Sequence, residues 1–77
     1  MSNSSNANQI NEVAVRWITA AELARLTGLS EQTLANWRLA DRRAGCPGGR
    51  PGYPRWRSFG RAVRYVIKRN GEPEVVA

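Results

Sequence analysis

The sequence predicts a small α+β domain built from two short helices followed by a two-stranded β-hairpin. Two capped helical segments adjoin each other between residues 19 and 38, and two β-prone runs flank a glycine turn between residues 55 and 66. A loop rich in glycine and proline separates the two pairs. The 77 residues suffice for one domain, and a chain this short gains only about 3–5 kcal/mol from its core.

The first helix is delimited by its capping residues. Thr19 is a favourable N-cap, and Glu22 three residues later completes a capping box in which each side chain accepts a hydrogen bond from the other residue's backbone N–H. Gly28 ends the helix, because glycine adopts the left-handed backbone conformation without steric cost. The pattern predicts a helix over Ala20–Thr27.

The second helix begins almost at once. Ser30 offers a new N-cap, and Leu29 and Leu34 flank it at the spacing of a hydrophobic staple. We predict this helix over residues 31–40. Two helices joined by so short a turn are typical of a helix-turn-helix.

A loop and a hairpin follow the helices. Residues 43–54 contain four glycines and three prolines, which excludes regular structure there. The runs 55–59 and 62–66 are β-prone, and Gly60 stands at the first central position of the two-residue turn between them, as a type II′ turn requires. Together with the helices, this hairpin predicts a winged helix-turn-helix, with the hairpin as the wing.

We predict the domain bounds from the part of the sequence that contains apolar residues able to form a core. We predict a disordered polar lead over residues 1–13, the folded domain over 14–69 and a flexible tail over 70–77. Trp37 is expected to be structural, because it lies three residues from Leu34 on one helical face. The predicted core consists of Trp17, Leu23, Leu26, Leu29, Leu34, Trp37, Trp56, Val63 and Tyr65.

The composition argues against an enzyme. There is no histidine, Cys46 is the only cysteine, and the six carboxylates form no close pair, so we expect no catalytic residues, no metal site and no cofactor. No apolar run approaches the ~20 residues of a membrane span, and no secretory signal is present. We therefore expect a cytoplasmic protein whose function is binding.

Positive charge is concentrated in the second half of the chain. Residues 38–69 carry ten basic side chains and one acidic one, Asp41, whereas the first 37 residues are slightly acidic. Eleven of the twelve basic residues are arginine, whose planar guanidinium pairs with phosphate and with the O6/N7 edge of guanine. This segregation predicts double-stranded DNA as the partner, in preference to a basic face that only keeps the protein in solution.

The outward face of the second helix is the predicted reader of the major groove. With Leu34 and Trp37 facing inward, the outward residues are Gln32, Ala35, Asn36, Leu39 and Arg43. Gln32 and Asn36 lie four residues apart, and each can pair bidentately with adenine. Ser30 and Thr33 are predicted to bind phosphate at the positive end of the helix dipole. Arginines continuing past the helix end are predicted to reach the DNA backbone: Arg38, Arg42 and Arg43.

The hairpin is the predicted reader of the minor groove. Its turn is surrounded by arginine, and an arginine-bearing ribbon tip suits a minor groove about 6 Å wide. Arg61 stands at the tip and is the strongest candidate. The predicted wing contacts are Arg57, Ser58, Arg61 and Arg64.

Three motifs within residues 17–65 resemble the MerR-like winged helix-turn-helix of phage excisionases and AlpA-type regulators: T-x-x-E-L-A, G-L-S-x-x-T-L-x-x-W and F-G-R-x-V-R-Y. The resemblance implies DNA contacts by Gln32, Thr33, Asn36, Arg38, Arg61 and Arg64. Ser58 departs from it, because many relatives have lysine there. AlpA-type regulators usually continue into a further helix, whereas residues 66–73 here offer no helical pattern, which favours the excisionases, also called recombination directionality factors.

The resemblance also implies what the protein does. Excisionases are architectural proteins of which several copies bind neighbouring sites, bend attachment-site DNA and direct an integrase towards excision, and the tail can contact the integrase. The implied location is with the nucleoid of a bacterium or a phage-infected host. Two alternatives remain at this point: an AlpA-type transcriptional regulator on the same fold, and a DNA-packaging or other assembly module whose surface mainly binds protein.

Overall fold

The structure, a computed structural model, describes residues 15–77 as two helices and a three-stranded antiparallel sheet. The elements are β1 (Val15–Ile18), α1 (Ala20–Thr27), α2 (Glu31–Arg43), β2 (Trp56–Phe59) and β3 (Ala62–Lys68). The predicted small α+β class is confirmed, whereas the number of strands is not. The predicted disordered lead over residues 1–13 lies outside the described residues.

The strand missing from the sequence-based prediction is β1. It pairs with β3, so that β3 lies in the centre of the sheet with β1 on one side and β2 on the other. The prediction was wrong here because β1 has only four residues and passes into α1 across the single residue Thr19, with no glycine or proline turn to separate a strand from a helix. Strand β3 also runs two residues beyond the predicted Val66, and this extension pairs with β1.

Both helices begin at their predicted caps. The Glu22 N–H donates to Thr19 Oγ1 at 3.1 Å, and the Thr19 N–H donates to Glu22 Oε1 at 2.8 Å, which completes the capping box. Gly28 ends α1 with a φ of 79°. The Thr33 N–H donates to Ser30 Oγ at 3.0 Å and starts α2. Helix α2 ends at Arg43, three residues beyond the predicted Ala40.

The core lies between the helices and one face of the sheet. We call this face the inner face, and it carries Ile18, Trp56, Tyr65 and Ile67, which pack against Leu23 of α1 and Leu34 of α2. Leu29, Trp37 and Val63 are partly buried against the same cluster. Most of the predicted core is therefore confirmed.

Two predicted core residues are exposed. Trp17 is 42% exposed, because the strand alternation that turns Ile18 inward turns Trp17 to the opposite, outer face, where it pairs across the strands with Val66. Leu26 is 58% exposed, because the short helix α1 packs through Leu23, Ala20 and Ala24 instead.

The tail, predicted to be flexible, forms backbone hydrogen bonds with the rest of the domain. Residues 72–76 turn back along the end of β3 and lie beside residues 52–55. The Glu74 N–H donates to the Val66 carbonyl at 2.9 Å, the Arg55 N–H donates to the Glu74 carbonyl at 2.9 Å, and the Val76 N–H donates to the Tyr53 carbonyl at 3.0 Å. Part of the loop thus acquires a backbone partner, which no local pattern in the sequence indicates.

The capping box makes a prediction about pH. The hydrogen bond from the Thr19 backbone N–H lowers the pKa of Glu22, with a smaller contribution from the Thr19 hydroxyl. A carboxylate whose pKa is lowered on folding stabilises the protein above its unfolded pKa of about 4.3 and loses this contribution as the pH falls through the folded pKa. Glu22→Gln keeps an acceptor oxygen but cannot titrate. We expect the variant's Tm to lie below that of the parent at pH 7 and the gap to shrink at pH 3; a gap independent of pH would contradict this.

Candidate nucleic-acid interface

One side of α2 is free of tertiary packing. Gln32, Asn36, Leu39 and Arg43 are all exposed, and at 100° per residue they fall in a narrow band opposite the buried Leu34. We call these four residues the α2 stripe. Ala35, also predicted to face outward, is half-buried at its flank. The stripe contains two amides, one guanidinium and one leucine, and it contains no carboxylate.

The two amides of the stripe contact each other. Gln32 Nε2 donates to Asn36 Oδ1 at 2.9 Å, across one helical turn. A carbonyl oxygen has two lone pairs, so Asn36 Oδ1 can accept a second hydrogen bond while its amide nitrogen still has both donors free. This arrangement holds the Asn36 side chain in one orientation and leaves an acceptor and a donor side by side.

The N-terminus of α2 uses its hydroxyls internally. Ser30 Oγ accepts from the Thr33 N–H and also donates to Thr33 Oγ1 at 3.0 Å. Ser30 is exposed and Thr33 is half-buried. A phosphate approaching this end of the helix would therefore meet a serine whose side chain already caps the helix.

The arginines predicted to lie past the end of α2 are within it, and two of them contact the sheet. Arg38 Nη1 donates to the Tyr65 hydroxyl at 2.6 Å, and the Arg42 guanidinium lies 4.8 Å from the centre of the Trp56 ring. They lie four and eight residues after Leu34, so both emerge towards the sheet, where Arg38 is half-buried and Arg42 exposed. Arg43, in contrast, belongs to the exposed stripe.

The contact between Arg38 and Tyr65 lies at the boundary of the core. Tyr65 is buried, and burial raises the pKa of its hydroxyl, although the hydrogen bond from Arg38 opposes the shift. The tyrosine therefore stays neutral at physiological pH and accepts from the guanidinium. This hydrogen bond restrains the Arg38 side chain, which would have to break it to reach a DNA backbone.

The predicted wing residues separate into three places. Arg57 and Arg64 lie directly opposite each other on β2 and β3 and share the outer face with Trp17. Ser58 lies opposite Val63 and belongs to the inner face of the sheet, but its side chain is exposed. Arg61 is exposed in the turn, beside Gly60, whose φ of 64° has the positive sign predicted for the first turn residue.

The outer-face arginines rest on neighbouring groups. The Arg57 guanidinium lies 5.6 Å from the centre of the Trp17 ring, and the Trp17 ring packs edge-on against Phe59 with 5.7 Å between centres. Arg64 Nη1 donates to the carbonyl of the adjacent Val63 at 2.9 Å. Among the three wing arginines, Arg61 is thus the one whose side chain makes no hydrogen bond or ring contact within residues 15–77.

The residue that holds α2, the loop and β2 together is Asp41, which the sequence analysis noted only as the single acid of the basic half. It is 1% exposed. Its Oδ2 accepts from Trp56 Nε1 at 2.8 Å, and its Oδ1 accepts from Arg50 Nε at 2.5 Å and from the Arg50 backbone N–H at 3.3 Å. The hydrogen bond to Asp41 raises the pKa of Arg50. A lone carboxylate among ten basic residues was the signal that could have identified it.

A basic groove lies between the end of α2 and β2. It has a volume of about 380 Å³, and its lining includes the arginines Arg42, Arg55 and Arg57 together with Trp56. Arg55 is paired with Glu74 of the tail, Nε to Oε2, at 2.8 Å. The Arg55 side chain is 46% exposed and that of Glu74 is 32% exposed, so solvent screens this ion pair and it contributes little to stability. Sequence reasoning did not select Arg55, because only the docked tail and the groove distinguish it from the other arginines.

No known protein family, curated protein or solved structure matches this chain. Over residues 15–77, histidine, cysteine, aspartate and glutamate side chains nowhere gather in a group of three that could hold a metal ion. In the same part of the chain, neither helix has the length and apolar character needed to cross a membrane.

Proposed function

We propose that this protein is a winged helix-turn-helix DNA-binding protein that lays α2 in the major groove of double-stranded DNA. The observation that carries the proposal is the α2 stripe, a solvent-exposed helix face with two hydrogen-bonding amides, an arginine and no carboxylate. A major groove about 12 Å wide admits an α-helix, and base edges there present donors and acceptors that such side chains match. Asn36 is the principal base reader, on adenine.

The chemistry of Asn36 supports adenine as its target. Adenine offers an N6 donor and an N7 acceptor in the major groove, and an amide oxygen and nitrogen meet them bidentately. The hydrogen bond from Gln32 occupies only one lone pair of Asn36 Oδ1. Gln32 therefore orients Asn36 without consuming the atoms that read the base, and its own Oε1 remains free for a neighbouring base pair.

The turn of the hairpin supplies the second contact. Arg61 projects from a two-residue turn between β2 and β3, and arginine is favoured in the negative potential of a narrow minor groove. The flanking arginines and the basic groove add to the electrostatic attraction of the phosphate backbone. Major-groove and minor-groove contacts from one small domain would clamp the duplex from two sides.

Replacing Arg61 by alanine is expected to weaken binding to all duplexes alike. Removing one protein–phosphate interaction makes the negative slope of log K against log salt shallower by about 0.9. We therefore expect the slope for Arg61→Ala to be shallower by about one unit, with the site preference unchanged. Arg69→Ala is the matched control, because Arg69 is also exposed and lies just beyond the opposite end of β3. Fluorescence anisotropy over a salt series measures the slope for both variants. If Arg61→Ala and Arg69→Ala change the slope equally, only the net charge matters and Arg61 makes no specific contact.

The biological role that we propose is that of a recombination directionality factor. It rests on the resemblance of residues 17–65 to phage excisionases, and it is supported by the segment after β3, which turns back as an extended strand partner and forms no helix over residues 69–77. Bending 20–30 base pairs by 40–90° costs on the order of 1–6 kcal/mol, which several neighbouring copies would offset through their phosphate contacts.

The test of this role is a recombination assay with attachment-site DNA and the accompanying integrase. We expect the protein to raise the yield of excision relative to integration, and Asn36→Ala to abolish the effect. Unchanged direction and yield would contradict the role. Binding and promoter repression without any effect on recombination would instead identify a transcriptional regulator.

A further inference from the structure

The α2 stripe contains an apolar centre that hydrogen bonding to adenine leaves unused. Leu39 is 45% exposed. It forms one wall of a shallow hollow of about 510 Å³, lined also by Asn36, Ala40, Arg43 and Ala44. Three of the five lining side chains are apolar, and the other two are an amide and a guanidinium.

The two polar lining residues indicate what kind of partner enters the hollow. A guanidinium and an amide favour a surface that carries phosphate and hydrogen-bonding groups, and the stripe has no carboxylate to repel it. An apolar side chain of a partner protein would match the three apolar lining residues but would leave the guanidinium and the amide without partners. In the DNA major groove, the 5-methyl of thymine is the apolar group that each A·T pair presents.

The spacing along the helix places the two kinds of contact side by side. Leu39 follows Asn36 by three residues, so their Cβ atoms lie about 5–6 Å apart on one face of α2. Adenine read by Asn36 is paired with thymine, and the methyl of that thymine or of its neighbour lies in the same groove. A helix with an amide and a leucine at this spacing can therefore bind adenine through hydrogen bonds and a nearby thymine methyl through an apolar contact.

We propose that Leu39, with Ala40 and Ala44, is a specificity-determining contact that reads the 5-methyl group of a thymine beside the adenine bound by Asn36. The proposal rests on the proposed DNA-binding function and adds the identity of a second base and the atom recognised. It makes the preferred site depend on a single methyl group, independently of hydrogen bonding.

Thymine and deoxyuridine differ only in this methyl group, which provides the experiment. The full chain selects its preferred duplexes from a random 20-base-pair pool, and each thymine of the selected duplex is then replaced in turn by deoxyuridine. We expect one or two positions to lose affinity by roughly fourfold each, the effect of one buried carbon. Leu39→Ala is expected to lose affinity for the thymine duplex and to be insensitive to deoxyuridine at the same position.

Leu26→Ala is the matched control, because Leu26 is an exposed leucine of α1 outside the stripe, and it should keep the full sensitivity to deoxyuridine. If deoxyuridine has no effect at any position, or if Leu39→Ala stays as sensitive as the parent, the proposal is wrong although DNA binding stands. If no duplex is selected from the pool, the DNA-binding function fails, and this inference fails with it. If Leu39→Ala weakens self-association or capture of a partner protein but not DNA binding, the hollow is a protein contact.

Discussion

Replacing Asp41 by alanine is expected to unfold the protein at room temperature. The carboxylate is buried and accepts hydrogen bonds from the buried Trp56 indole and from the Nε and backbone N–H of the partly buried Arg50, so its removal leaves three donors without this acceptor. Leaving a buried donor without a partner costs about 1–3 kcal/mol, and more where the donor is charged, so the loss of these hydrogen bonds together reaches about 3–5 kcal/mol. This equals the stability of about 3–5 kcal/mol that so small a core supplies. Urea unfolding followed by tryptophan fluorescence measures the loss.

Two further variants distinguish the loss of the Asp41 contacts from the loss of a negative charge alone. Asp41→Asn retains an acceptor for Trp56 Nε1 but loses the ion pair with Arg50, and we expect an intermediate loss of stability. Glu72→Gln removes a carboxylate that is exposed, and we expect an unfolding midpoint close to that of the parent. An Asp41→Ala protein with the parent's midpoint would show that Asp41 does not hold the loop and β2 to α2.

Replacing Asn36 by alanine is expected to cause a large fall in the preference for the selected DNA site while leaving the fold intact. A bidentate amide–adenine pair contributes about 1–3 kcal/mol of discrimination, equivalent to about 5- to 150-fold in affinity. Asn36 is exposed and contacts only Gln32 through its side chain, so alanine, a strong helix former, costs little stability. Competition between the selected duplex and a scrambled duplex measures the preference.

The scrambled duplex is the internal control for the Asn36 variant. Binding to it depends on phosphate contacts, which Asn36→Ala leaves in place, so its affinity should stay within about twofold. Gln32→Ala is expected to lose less preference than Asn36→Ala, because it removes the orienting hydrogen bond and retains the reader. A variant that weakens both duplexes equally would place Asn36 among nonspecific contacts.

The helices could be predicted from the sequence because their boundaries are local chemistry. Thr19, Glu22 and Gly28 act on backbone groups within four residues, and the structure places all three as expected. The exposed face of α2 followed from the same helical period once Leu34 was taken as buried. The turn at Gly60 likewise depends on one residue's backbone preference.

The remaining features depend on partners distant in sequence. Strand β1 is defined by its pairing with β3, some fifty residues later, and this pairing decides that Ile18 is buried and Trp17 exposed. The contacts of Asp41 and Arg38 reach from α2 to the sheet. A propensity pattern carries no information on such long-range contacts, so arginines that looked equivalent in the sequence differ in the structure.

Sequence-specific DNA binding through the α2 stripe is tested most directly by one ratio, that of the dissociation constants for a scrambled and a selected 20-base-pair duplex at 150 mM salt. For the parent protein we predict a ratio on the order of a thousand, the lower range for specific DNA-binding proteins, and a large fall in this ratio for Asn36→Ala. A parent ratio close to one, or a ratio that Asn36→Ala leaves unchanged, would contradict the proposal.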